Sequence, residues 1–459
     1  MKSPHRTARL ALVLCLSLTL AACGSDGAGG SDAVGEDGRV VVTVAIDAGL
    51  EQGAVDAFNE RVEQFEASHS DVDIQPQEYT WSAATFTSQL AGGTIPDVFT
   101  VPFTDGRGLI EREQIADIAD QVDRLPYADS FNPTVATAGQ APDGRQWAVP
   151  IAAYGQGLHY NRTLFTQAGL DPDRPPTTWP QVRAAARQIA ERTGQTGYAQ
   201  MTSDNTGGWI LTTLDYAFGG RTESIRGEKA TATLDTPEMT EALELVAAMR
   251  WEDESMGANF LYDWATINQD FAAGRIGMYV SGGGNYGNLV TQNAMRPADY
   301  GVAVLPLVDD PEAGVLGGGT LAVVSPKTGE RTREAAVRWI DFYYMAKLTD
   351  KDAAVLDART LAETGQPVGA PQLPVLDRAT FDAARGWVKE YVNVPVDQLR
   401  PYTDAMFDQP LVTEPTRSTQ EVYGILDTVV QTVLTDRDAD IPALLADAQS
   451  QAQALLDRG

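Results

Sequence analysis

The chain has 459 residues, and at about 100 to 200 residues per domain it is too long for one ordinary core, so two or three bodies are expected. Hydrophobic residues make up 43% and charged residues 21%, which excludes a disordered chain and one embedded in a membrane along most of its length. With 34 Lys and Arg against 63 Asp and Glu the formal charge is −29, a surface that repels nucleic acid and anionic lipid.

Lys2, Arg6 and Arg9 precede an apolar run from Leu10 to Ala22 that ends in small residues. This is the layout of a secretory leader, too short and wrongly flanked for a stable span. Its end, "LAAC" from Leu20 to Cys23, resembles the lipobox of bacterial lipoproteins and marks Cys23 for lipidation. The expected location is therefore extracytoplasmic, with the lipid as the only hold on the membrane. "GSDGAGGSDAVGEDG" follows, Gly, Ser and Asp with nothing to bury, and reads as a flexible tether reaching on the order of 20 Å. Residues 1–22 are thus expected to be leader and 23–38 tether. Losing Lys2, Arg6 and Arg9 with the leader takes the charge from −29 to −32. Cys15 leaves with it too, so the exported body has no disulfide and relies on its cores.

"RVVVTVAIDAG" is a β-branched run bounded by Gly and predicts a buried first strand. A helix follows: Val55, Phe58, Val62 and Phe65 recur at spacings of three, four and three, with Glu60, Glu63 and Glu66 turned away. "VDIQPQEY" predicts a second strand, with Pro76 marking an edge or bulge. "IPDVFTVPF" predicts a third, ending in the Gly-bearing loop "TDGRG". Strands alternating with helices define an α/β unit with a largely parallel sheet, in which ligands sit beyond the carboxyl ends of the strands. Asp47, Trp81, Phe103 and Asp105 fall at or just after such ends.

A second body starts after Pro150, with "GLHYNRTLF" as its first strand and turn. In "PPTTWPQVRAAARQIAERTG" Thr178 can cap a helix, Gln181 completes a capping box, Pro180 fits the first turn and Gly194 stops the helix. Helices are predicted over Met239–Arg250 and Ile267–Ala273, strands over "RIGMYVSGGG" and "DYGVAVLPL". "WEDES" reads as a solvated helix end. After "GGGTLAVVS" come helices carrying Trp339, Phe342 and Tyr343, and the chain is helical from Val422 onward. Pro150 and Pro306 each close a strand between two such units, so the chain crosses between lobes at least twice and permits hinge closure.

The motifs of enzymes are missing. "GQGLHYN" puts Asn161 where a dinucleotide fingerprint needs its third Gly, and "SGGGNYGN" and "GGGT" lack the Lys-Ser/Thr of a phosphate loop. His69 and His159 stand far apart with no H-E-x-x-H, so no metal is expected. "DRDAD" imitates the start of a calcium loop but carries Ile441 in place of Gly, and reads as the cap of the helix near Pro442. No G-x-S-x-G elbow occurs, and no catalytic residue or cofactor is assigned. What remains is aromatic and amide chemistry near strand ends. Tyr154, between Ala153 and Gly155, and Trp209, after the polar Gly loop "SDNTGG", are the aromatic faces best placed to stack on a sugar, with carboxylates and amides for its hydroxyls.

Five blocks, "IPDVF", "GRQWAVPIAAYGQGLHYNRTLFTQAGL" with "PPTTWPQV", "FAAGRIGMYVSGGG", "YGVAVLPL" and "GGGTLAVVSPKTGERTREAAVRWIDFY", occur in order over most of residues 95 to 345. Together they resemble the family 1 extracellular solute-binding proteins, the substrate receptors of ABC importers, and within them the maltose/maltodextrin-binding type. The resemblance implies a two-lobed, periplasmic-binding-protein-like fold with discontinuous lobes joined by hinge crossings. It implies a monomer that closes on a carbohydrate, an oligosaccharide by type, and delivers it to permease and ATPase subunits on other chains. On this basis residues 39–150 with 306–360 would form one lobe and 151–305 with 361–459 the other. Tyr154 matches a cleft residue past the first crossing, Asp105 and Arg107 match polar contacts after the third strand, and Trp209 matches an aromatic stacking residue. After "MYVSG" the family often has a stacking Trp, where this chain has Gly283, Gly284, Asn285 and Tyr286. Either Tyr286 substitutes, or the ligand is bulkier or more polar there. Gly318, in "GGGT", completes the candidate binding set. A secreted glycan-active enzyme, or a binder of a peptide, a polyamine or a phosphodiester, is the alternative.

Overall fold

The computed structural model describes residues 30–458 apart from 228. The leader and Cys23 lie outside the described residues. Among the described residues eleven strands occur: β1 (Val40–Ile46), β2 (Val72–Glu78), β3 (Val98–Pro102), β4 (Val149–Asn161), β5 (Thr196–Tyr198), β6 (Glu223–Arg226), β7 (Lys229–Ala232), β8 (Ile276–Gly282), β9 (Tyr300–Val304), β10 (Val315–Val324) and β11 (Leu411–Thr413). Nine of them run in one hydrogen-bonded order, β2-β1-β3-β10-β4-β8-β5, with β11 on β10 and β9 on β4. β6 and β7 form a separate hairpin.

Parallel pairs β1–β2 and β1–β3 make up one end of this order, and the parallel pair β5–β8 the other. Between them the pairs β3–β10, β10–β4, β4–β8 and β4–β9 are antiparallel, while the short β11 adds to β10 in parallel. The 13-residue β4 is the link: Val149 to Gly155 pairs with β10, and Gln156 to Asn161 pairs with β8 and β9. One strand therefore belongs to two sheets, the arrangement of a two-lobed α/β protein with a crossing segment. Pro150 does not close a strand here. It pairs with Leu321 inside β4, and the register slips between Thr320 and Leu321, so Ile151 is left over as a bulge beside the residue that lacks an N–H.

On the first lobe the helix Gln52–Ser68 buries Phe58, Val62 and Phe65 as its spacing requires. Phe65 meets the fully buried Trp339 edge-on at 5.4 Å between ring centroids, and Trp339 comes from the helix Glu330–Ile340. Removing either ring should cost about 3–5 kcal/mol, the usual price of a large core cavity. The predicted tether is partly docked against this lobe. Ser31 N–H donates to Lys327 O at 3.1 Å, and Asp32 Oδ1 accepts from Thr332 N–H at 3.0 Å. The cause is local: Gly329, at the N-cap of the helix 330–340, has no side chain to satisfy the first turn, and Asp32 supplies the oxygen from outside.

On the second lobe Thr178 caps the helix Trp179–Thr193, and Gly194 ends it in the left-handed region at φ 69°. The box is offset by one residue, since Gln181 Oε1 accepts from Thr177 rather than from Thr178. Asp440 caps the helix Ile441–Leu456 through Ala443 N–H, which gives the "DRDAD" acids a capping duty. "WEDES" ends a helix but is not wholly solvated. Asp253 is nearly buried and pairs with Arg183.

"TDGRG" forms no loop. Phe103–Glu111 is a helix that buries Phe103, Gly106, Leu109 and Ile110. Gly106 is needed for packing, because a Cβ there would overlap Leu321 Cδ1 and lie 2.8 Å from Ala138 O. The Gly317–Gly319 run is likewise inside β10, against Tyr154 and Ala152 of β4 and Phe103.

Candidate functional site

A cavity of about 810 Å³ opens where β4 and β10 hand over between the two sheets. Ala152–Tyr154 of β4 and Gly319–Thr320 of β10 form one wall, and the end of β8 with the following turn, Ser281 to Asn288, forms another. Trp209, Trp264 and the segment Pro367–Gln372 complete it. The site lies beyond the carboxyl end of β8, as an α/β sheet favours.

Each aromatic side chain is held by an identifiable device. Trp209 sits in the first turn of the helix Thr206–Ala217, which has no cap of its own. Asp427, from the helix Thr419–Thr435, does that work from outside, its two oxygens accepting from Asn205 N–H and Gly208 N–H at 2.7 Å each. Gly208 lets the helices touch, since a Cβ there would run into the Tyr423 backbone. Trp264 opens the helix Trp264–Ala272, fixed by a complete capping box between Asp263 and Thr266, and it stays 40% exposed. An exposed Trp held rigidly beside a cavity is what a stacking face requires.

Tyr154 and Trp209 converge on one carboxylate. Tyr154 Oη donates to Glu414 Oε1 at 2.7 Å, and Trp209 Nε1 donates to the same oxygen at 3.1 Å. Glu414 directly follows β11, so a short strand on β10 places it. Burial pushes the Glu414 carboxyl above its ordinary range, against the hydrogen bonds it accepts. The Tyr154 hydroxyl is raised by burial and by the neighbouring carboxylate.

An amide network supports the β8 side. Asn285 Nδ2 donates to Asn268 Oδ1 at 2.8 Å and to Tyr279 Oη at 2.9 Å, while Tyr279 Oη donates to Asn268 Oδ1. Asn288 Nδ2 reaches Asn285 Oδ1 at 3.2 Å, so both cleft amides are oriented from behind. His159 is buried below them, its Nε2 against the carbonyls of Ser281 and Gly282 and its Nδ1 against Tyr300 Oη. Desolvation pushes it down to about 4, so it stays neutral and structural.

Of the residues expected from sequence, Tyr154, Trp209 and Asn285 line this cavity. Tyr286 does not stack on anything in it: the ring is 1% exposed and packs edge-on against Tyr300 at 5.2 Å. The helix that starts at Tyr286 turns the ring into the core. Gly283 is buried at the crossing, where its N–H donates to Gly155 O at 2.8 Å and a Cβ would collide with Tyr402. Gly318 is buried beside the Tyr154 ring, and its neighbour Gly319 is the one that faces the cavity. Phe103 is core, 3% exposed. Arg107 points away, 78% exposed and paired with Glu111 one helical turn on. Trp81 and Asp105 bond each other, Nε1 to Oδ2 at 3.1 Å, outside the residues that line the cavity. Asp47 is exposed just past β1 and also lies outside that lining. Trp264, Asn288 and Glu414 were not anticipated. "DWAT" carries a capping signal that could have exposed Trp264; "VTEPT" carries no signal for Glu414.

Two sheets sharing a crossing strand, with an aromatic and amide-lined cavity at the crossing, define a two-lobed solute-binding protein. Residues 60–359 match the family described as bacterial extracellular solute-binding protein. The chain belongs to that family, and its place of action is extracytoplasmic. Among characterised relatives, the sn-glycerol-3-phosphate-binding periplasmic protein UgpB of Brucella melitensis is 23% identical over 310 residues, 64% of this chain and 68% of that one. UgpB of Agrobacterium fabrum is 25% identical over 224 residues, 47% of this chain and 48% of that one. Among solved structures, the cyclic alpha-maltosyl-1,6-maltose binding protein of Arthrobacter globiformis superposes with a TM-score of 0.65 at 26% identity, over 92% of this chain and 100% of the other. UgpB of Mycobacterium tuberculosis, in complex with glycerophosphocholine, gives 0.65 at 19% identity, over 91% and 98%. These relatives are binding proteins rather than enzymes. Among the described residues no helix is long and apolar enough to cross a membrane.

Proposed function

We propose that the protein is a lipid-anchored receptor that captures a neutral carbohydrate, an oligosaccharide by the size of its cleft, and presents it unchanged to an ABC permease. The observation that carries this reading is the lining of the cavity: three aromatic faces, Tyr154, Trp209 and Trp264, among Ser281, Asn285, Asn288, Thr320 and Gln372, with no Lys, Arg or His. Apolar C–H patches and hydroxyls of a sugar are both served by such a surface. A glycerol phosphate ester, the monoester in the names of the UgpB relatives or the phosphodiester glycerophosphocholine bound to one of them, is the second reading, and it lacks a cationic partner in the cavity lining. Closure would pivot on β4 around Gly155 and Gln156, with ligand favouring the closed form only through contacts made to both lobes.

A dissociation constant near micromolar corresponds to about −8 kcal/mol, within reach of two stacked rings and several hydrogen bonds after ordering costs. The test is a thermal-shift screen over neutral mono- and oligosaccharides, with sn-glycerol 3-phosphate and glycerophosphocholine beside them. A ligand that binds only the folded state raises the midpoint with its concentration. Shifts with sugars and none with phosphates support the proposal, and the reverse pattern replaces it with the second reading. Chromatography of the sugar after long incubation should return it intact; cleavage would make the protein an enzyme.

A further inference from the structure

We infer that Glu414 is the specificity-determining residue of the cleft: its second carboxylate oxygen accepts ligand hydroxyls, and its charge rejects solutes that carry a phosphate or carboxylate. The inference rests on the carbohydrate reading above for its first half and stands independently of it for the second.

Tyr154 Oη and Trp209 Nε1 both donate to the same oxygen of Glu414, Oε1, and the buried Tyr423 hydroxyl stands close enough to act on the same carboxyl. Among the described residues Oε2 accepts no hydrogen bond. The two donors line the cavity from β4 and from the helix 206–217, so the carboxylate, itself just outside the lining, lies within one hydrogen bond of both aromatic side chains a ligand would touch. Among the described residues no salt bridge involves Glu414, and no Lys or Arg acts on its titration. A carboxylate whose two close donors share one oxygen keeps acceptor capacity on the other for a charge-assisted O–H···O⁻ bond, roughly twice as strong as a neutral one. It is equally an obstacle to an anion. At about 5 Å and an effective dielectric constant near 20, like-charge repulsion amounts to roughly a hundredfold in affinity. None of the residues lining the cavity carries a positive charge to offset it. The aromatic positions alone cannot draw this distinction, because a ring accepts the carbon face of a sugar and of a glycerol headgroup alike.

The experiment is calorimetric titration of the wild type, Glu414→Gln and Glu414→Arg with the best neutral oligosaccharide from the screen, with sn-glycerol 3-phosphate and with glycerophosphocholine. Glu414→Gln keeps an acceptor for Tyr154 and Trp209, so the melting temperature is expected within a few degrees of the wild type. Sugar affinity should fall at least tenfold in Glu414→Gln, and Glu414→Arg should gain measurable binding of sn-glycerol 3-phosphate that the wild type lacks. Unchanged sugar affinity in Glu414→Gln overturns the acceptor role, and failure of Glu414→Arg to gain the phosphate overturns the filter. A wild type that binds glycerophosphocholine and no neutral sugar sinks the carbohydrate reading instead. A further measurement needs no variant: the same oligosaccharide oxidised to carry one carboxylate should bind the wild type at least thirtyfold more weakly than its neutral parent. Equal affinity would overturn the inference.

Discussion

Tyr154 and Glu414 meet at 2.7 Å across 260 residues of sequence, tying the strand that passes between the lobes to a segment that is reached only near the end of the chain. The same carboxylate oxygen holds Trp209, so two aromatic faces of the cleft share one anchor. Perturbing any of the three should be felt by the other two.

Tyr154→Phe tests that link with little change of shape. The ring stays and the donor goes, so Glu414 loses its tie to β4 while Trp209 still holds it. Hydrogen bonds to charged groups are worth about 1.5–3 kcal/mol, so the melting temperature is expected to fall, and with Glu414 no longer fixed to the crossing strand ligand affinity should fall about tenfold by calorimetry. Tyr154→Ala and Trp209→Ala should lose at least tenfold while far-ultraviolet circular dichroism stays native. Wild-type affinity in both would remove these residues from the site.

Trp264 separates binding from stability. At 40% exposure its replacement by Ala should cost only about 1 kcal/mol of folding free energy, yet at least tenfold in affinity. Arg107→Ala is the matching control. Its side chain is exposed and pairs within its own helix, so both affinity and melting temperature should match the wild type.

Much of this was legible beforehand, and the misses share a physical cause. The strands, the 52–68 helix and the Thr178 cap follow from local periodicity and turn chemistry, which sequence carries directly. Tyr154 and Trp209 stood out because small residues flank them. Tyr286 misled because a Gly-rich run looks like an open loop, whereas the Gly residues allow close packing and the ring turns into the core beside Tyr300. "TDGRG" failed in the same way, with Gly106 serving contact with Leu321 rather than a turn. Glu414 could not be found at all, since its partnership depends on β11 docking on β10 far along the chain.

Gly208→Ala and Gly386→Ala should move stability in opposite directions. A Cβ at Gly208 meets the Tyr423 backbone, which cannot swing aside, so the melting temperature is expected to fall by more than about 5 °C. Gly386 is exposed in the helix Arg378–Trp387 with open space around it, and Ala there should stabilise by about 0.5–1 kcal/mol. Differential scanning calorimetry of both decides it.

Asp215 and His159 bracket the pH range of stability. Asp215 is fully buried with neither carboxylate oxygen bonded among the described residues, and burial, with Glu238 adding to it, lifts its pKa from 3.8 to about 8. The unfolded chain releases this proton near pH 4 and the folded one only near pH 8, so the native state loses stability as pH rises through that window. Asp215→Asn should therefore melt at the wild-type temperature near pH 4 and higher near pH 8, by an amount reflecting up to several kcal/mol. His159 acts with the opposite sign. Its pKa is depressed from 6.5 to about 4, so its contribution is complete above pH 6.5 and is lost on acidification towards 4. A flat difference between Asp215→Asn and wild type from pH 4 to 8 would contradict the assignment.

The most direct test of the account is calorimetric titration of neutral oligosaccharides into the wild type and into the Trp209→Ala, Trp264→Ala double variant. Micromolar binding to the wild type, weakened at least a hundredfold in the folded variant, is predicted. A sugar that binds both equally, or a wild type that binds phosphodiesters and no sugar, would contradict a neutral carbohydrate site in this cleft.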